Sequence, residues 1–182
     1  FWGWLAVAWS VNTLGSLAWG VVEMFTSLEF PAWIDSLYVS RYFFVILAIW
    51  LYPTKWPWRR LIGIIAAMLV AAMILWFGFV QPLSKISDQS QSYILAGAIF
   101  PLLDAGMLYA CWMRWRDTAG NPVQPVFGLF LLSTLAYGIA NWANYRLRSV
   151  TPDADSLIAL LGWFLTDLFA ATAGWWFAKR IK

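Results

Sequence analysis

Six apolar stretches, each close to the length that crosses a bilayer, follow one another along the chain at roughly 4–25, 36–52, 61–80, 92–113, 126–145 and 156–178. The breaks between them carry Pro31 and Asp35, Pro53 and Pro57, Pro82 and Ser84, Gly120 and Pro122, then Pro152 and Asp153. In lipid a backbone must satisfy its own polar groups, so spans of this kind are helical. The pattern predicts an all-α integral membrane protein, a bundle of six transmembrane helices forming one polytopic domain over 1–182. Composition agrees, with 62% hydrophobic residues and 12% charged, where a soluble domain carries roughly 25% charged. A water-soluble fold of this length has nowhere to hide so much apolar surface. Phe1 stands where an initiator Met would, and the last residues run off a helix without a stop, so the segment is expected to belong to a longer chain.

Orientation follows from the basic residues. Lys55, Arg59 and Arg60, then Arg114 and Arg116, then Lys179, Arg180 and Lys182 lie in alternate breaks and in the tail. The remaining breaks hold only Lys85, Arg146 and Arg148. The positive-inside rule places the first set, and hence both ends of an even-numbered bundle, in the cytoplasm. The basic residues form no stripe, so the net charge of +3 points to no nucleic-acid partner. The partner these residues imply is the lipid bilayer of a cytoplasmic membrane.

The chain also resembles itself. Ser16-Leu17-Ala18-Trp19-Gly20-Val21-Val22 matches Thr134-Leu135-Ala136-Tyr137-Gly138-Ile139-Ala140 at an offset of 118. Asp35-Ser36-Leu37 and Asp155-Ser156-Leu157 follow at an offset of 120. Helices one and two therefore read as a parallel repeat of helices five and six, with chance similarity among apolar helices as the alternative.

Ionisable groups within spans are costly, roughly 2.5–3.5 kcal/mol each on insertion scales, so the four present are the first candidates. Glu23 and Arg41 fall at similar depth on consecutive helices. They suggest an outward-facing polar pocket rimmed by Tyr38, Tyr42, Asn141, Asn144 and Arg146, or else a plain ion pair clipping the first hairpin. Asp104 and Asp167 fall near mid-span and are expected to face the bundle interior, each carrying its proton. Together they suggest a shared polar centre, or, taken singly, a neutral Asp hydrogen-bonded across a helix interface. Pro101, just before Asp104, predicts a kink.

The exclusions are firmer. The chain has no His and one Cys, Cys111, so it offers no usual haem or zinc ligand set and no His to activate a Ser. No Lys lies mid-span and no Gly-rich phosphate loop is present. We expect no enzyme, no catalytic residues, no metal and no cofactor.

Leu14-Gly15 with Trp19, then Pro31, Asp35 and Tyr38, then Phe100-Pro101-Leu102-Leu103-Asp104, then Trp163 with Ala170, Ala171 and Ala173 form a further pattern. It resembles the N-terminal multi-helix membrane domain of bacterial diguanylate cyclases and some sensor kinases. The resemblance implies a membrane sensory or anchoring domain of the bacterial cytoplasmic membrane, coupled to a cytoplasmic signalling domain beyond Lys182. The residues leave two other readings open. One is an accessory subunit packing against other subunits of a respiratory or photosynthetic membrane complex. The other is a small-solute transporter in which Glu23 and Arg41 contact a zwitterion.

Overall fold

A computed structural model describes residues 1–25, 32–53, 55–77, 91–148 and 157–180. They form six helices, α1 (Trp2–Phe25), α2 (Ala32–Leu51), α3 (Trp58–Leu75), α4 (Gln91–Asp117), α5 (Gln124–Arg148) and α6 (Leu157–Arg180), and no strand occurs among the described residues. Each helix falls on one of the six apolar stretches. Helix α2 begins earlier than expected, at Ala32, so Asp35 and Ser36 lie within its first turns rather than ahead of it. Asp155 and Ser156 lie outside the described residues. Helix α4 runs through Pro101 as one helix, although the missing N–H leaves the carbonyl of Gly97 without its helical donor.

Among the described residues, three helical segments are long and apolar enough to cross a membrane: Trp2–Val22, Gln124–Asn144 and Leu157–Arg180. A shorter apolar segment covers Ser36–Leu51. The side chains of α6 are distributed inside out relative to a soluble helix. Its buried positions are the small residues Ala159, Gly162, Thr166 and Ala173. Leu157, Leu161, Phe164 and Leu168 stand exposed at the same helical spacing. A soluble helix buries its large apolar face; a helix packed in lipid brings small residues together instead.

The chain divides into two compact units, residues 1–58 and 59–182. In the first, α1 and α2 run antiparallel. Phe1 stacks on Tyr52 at 4.8 Å and Trp4 on Phe44 at 5.9 Å between ring centroids. Gly15 seats the Tyr38 ring, which would lie 3.3 Å from a Cβ at that position.

In the second unit, α3 to α6 pack antiparallel in succession. Gly63 of α3 meets Tyr109 of α4, and Gly106 of α4 meets Met68 and Ile64 of α3. The link to α5 is a tight turn, with Gly120 at φ 78°, a conformation that L side chains rarely adopt. Asn121 Oδ1 accepts from the Val123 amide at 3.0 Å, and Gln124 Oε1 accepts from the Gly120 amide at 3.3 Å. Helices α5 and α6 are joined by reciprocal hydroxyl bonds: Ser133 Oγ donates to the Thr166 carbonyl at 2.9 Å, and Thr166 Oγ1 to the Ser133 carbonyl at 3.3 Å.

The sequence likeness between α1–α2 and α5–α6 does not extend to their contacts. Gly15 faces Leu37 and Tyr38. The matching positions in the second unit are Ser133, Leu157 and Ile158, yet Ser133 bonds to Thr166, about two turns further along α6. Gly15 forms a seat for an aromatic ring, whereas Ser133 brings a hydroxyl to a backbone carbonyl, and each selects its own register.

Candidate functional site

The second unit holds a chain of hydrogen bonds across three helices. Trp163 Nε1 on α6 donates to Asn141 Oδ1 on α5 at 3.2 Å. Asn141 Nδ2 in turn donates to Asp104 Oδ2 on α4 at 3.1 Å. Asp104 is buried, 3% exposed, and Gly138 gives it room, with the Asp104 Cβ 3.5 Å from where a glycine Cβ would stand. The helices bring these groups together for local reasons. Gly162 allows α6 to approach α5 so closely that an added Cβ would lie 2.7 Å from Ala140 Cβ and 2.9 Å from the Ala136 carbonyl. That approach puts Trp163 beside Asn141. A second polar layer lies toward the α4–α5 turn, where Cys111 Sγ and Thr134 Oγ1 are 3.6 Å apart and Thr134 donates to the Phe130 carbonyl at 2.9 Å.

Chemically the chain is directional. An indole nitrogen only donates, so Asn141 must turn its oxygen to Trp163 and its N–H to Asp104. Asp104 receives a donated hydrogen bond that suits either protonation state, because a carboxylic acid keeps acceptor capacity on the oxygen without the proton. No group of three metal-ligating carboxylates or thiols occurs among the described residues.

Asp167, expected to share this centre, does not face it: the residue is exposed on α6. It stands one position after the buried Thr166, and successive helix positions are about 100° apart, so it falls off the inward stripe of Ala159, Gly162, Thr166 and Ala173.

In the first unit Arg41 is buried, 2% exposed. Its Nη1 donates to Asn12 Oδ1 at 3.2 Å and its guanidinium lies 5.0 Å over the Trp9 ring. One turn along α1, Ser16 accepts from the Tyr38 hydroxyl at 3.3 Å. The Glu23 side chain lies outside the described residues, as does that of Arg146, so the expected Glu23–Arg41 pair is not among the contacts described. Tyr38 and Arg41 belong to the first unit, Asn141, Asn144 and Asp104 to the second.

Attention to ionisable groups alone overlooks Asn12, Trp9 and Trp163. The available signal was their spacing within spans: Trp9 and Asn12 lie three apart on one face of α1, and a Trp N–H within an apolar helix needs an acceptor. No family model, no curated protein and no solved structure matches the chain.

Proposed function

We propose that the chain is the membrane-embedded sensory or anchoring domain of a bacterial signalling protein and is not itself catalytic. In this reading six helices cross the cytoplasmic membrane with both ends in the cytoplasm, and the partner is a cytoplasmic signalling domain joined beyond Lys182. Support for the membrane setting comes from the exposure of large apolar residues on α6 and α1, including Leu14, Leu17 and Val21. The antiparallel packing also gathers Arg59, Arg60, Arg114, Arg116, Lys179 and Arg180 at one end of the second unit, in keeping with a cytoplasmic side rich in cations.

The observation that carries the sensory reading is the Asp104–Asn141–Trp163 chain. It ties the helix bearing Phe100-Pro101-Leu102-Leu103-Asp104 to the last helix, the one that leads toward Lys182. A ligand that bound Asp104 would compete with the bond from Asn141, and through it disturb the seat of Trp163 on α6.

The test is a fusion. Residues 1–182 are joined to a diguanylate cyclase catalytic domain and expressed in bacterial membranes, and nucleotide output is measured. Asp104→Leu and Trp163→Phe are expected to shift output in the same direction by severalfold, while the exposed-face variant Leu161→Ala leaves it unchanged. Output that follows membrane attachment alone, indifferent to all three, rejects a sensory role and leaves an anchor.

A further inference from the structure

The end of the second unit formed by the α3 start and the α4 finish combines charge, aromatic rings and an apolar stripe in one place. Arg60 Nη2 pairs with Asp117 Oδ1 at 3.1 Å, and Arg60 Nη1 also reaches Met113 Sδ at 3.8 Å. Buried Arg114, 2% exposed, lies within electrostatic reach of both Arg60 and Asp117. Two guanidinium groups thus share one carboxylate, and the cluster keeps an excess positive charge. Beside it the Arg116 guanidinium lies 5.3 Å over the ring of Trp112. Stacking of that kind uses the guanidinium face and leaves its N–H edge suited to an oxyanion.

The second observation concerns shape. Arg59, exposed at the start of α3, heads a stripe of exposed apolar residues on the same helix, Ile62, Val70 and Met73, continued by Phe77 just past its end. These positions recur at helical spacing, so the stripe descends from the cation along one face. A phosphate attached to hydrocarbon chains fits that arrangement, and a free phosphate or an acidic peptide does not use the stripe.

We propose that this end of the second unit binds the headgroup phosphate of anionic phospholipids, with Arg59 and Arg116 as the exposed cations and the α3 stripe against the acyl chains. Cations at a membrane surface attract anionic lipid additively, and the Arg60, Arg114 and Asp117 cluster adds a net positive charge at the same end. The inference rests on the membrane reading given above, and the experiment separates the two.

The protein is reconstituted into nanodiscs of phosphatidylcholine, then titrated in detergent with phosphatidylglycerol or phosphatidylcholine and followed by native mass spectrometry. Incorporation into neutral nanodiscs is expected; failure to incorporate overturns the membrane reading itself. With incorporation secured, phosphatidylglycerol is expected to bind roughly thirtyfold more tightly than phosphatidylcholine, as two added cationic contacts imply. Arg59→Gln with Arg116→Gln should bring the two lipids to parity. Both side chains are exposed, and unchanged helicity by circular dichroism confirms that the variant folds. Arg148→Gln, which removes one charge from the opposite end of α5, should leave the preference intact. Millimolar inorganic phosphate should not displace the lipid. Equal binding of the two lipids, loss of preference in Arg148→Gln, or displacement by phosphate overturns the site.

Discussion

Because an indole nitrogen only donates, Trp163 decides which end of the Asn141 amide faces it, and so supplies an N–H to Asp104. The energetic weight of the chain lies in what is stranded when a member is lost. Asp104→Asn keeps an oxygen for Asn141 to donate to and should be nearly neutral for folding. Asp104→Leu removes the acceptor and strands a buried N–H, at a cost of about 1–3 kcal/mol. Equilibrium unfolding in detergent or bicelles reads the difference, and equal losses for the two variants would show that burial rather than hydrogen bonding governs the site. Combining Asp104→Leu with Trp163→Phe should cost less than the two single losses added, since both act through Asn141. Arg41 follows similar logic: a cation in an apolar hairpin is held by an amide oxygen from Asn12 and the face of Trp9.

Between elements, close approach is set by glycine and alanine rather than by large side chains. Gly162 is the tightest such contact between α5 and α6, and its neighbours include backbone, the Ala136 carbonyl at 2.9 Å. Gly162→Ala should therefore force the helices apart and destabilise the protein by about 1–3 kcal/mol. Gly138→Ala, whose new Cβ would meet Asp104 only at ordinary contact distances, should cost far less. Thermal unfolding of the two variants tests this, and the prediction fails if Gly138→Ala is the more damaging. This scale also shows how far the sequence could be read. The six helices were legible because apolar run length and Pro-bearing breaks are local properties. Asp104 and Asn141 were legible as polar residues within spans, but their union was not: it depends on Gly138 of α5 leaving room for Asp104 of α4. Asp167 misled because depth along a helix says nothing about its angle around the axis; the inward stripe is Ala159, Gly162, Thr166 and Ala173. The α1–α2 and α5–α6 likeness does not carry the packing with it, since Gly15 and Ser133 occupy matching positions with different chemistry.

At the scale of the whole molecule, the account turns on which ends of the helices face the cytoplasm. Exposed Leu, Phe and Trp side chains, small buried residues on α6 and cations at one end of the second unit support a membrane setting; the proposed arrangement is six spans with residue 1 and Lys182 on the same side. The measurement that tests it most directly is site-specific labelling with a membrane-impermeant maleimide in oriented vesicles. Native Cys111 is buried and should stay silent. Lys55→Cys and Arg116→Cys are predicted to react only when the cytoplasmic face is outermost, and Lys85→Cys only in the opposite orientation. Reaction of Lys85→Cys from the cytoplasmic face, or of all three from both faces, would contradict the six-span bundle and the function built on it.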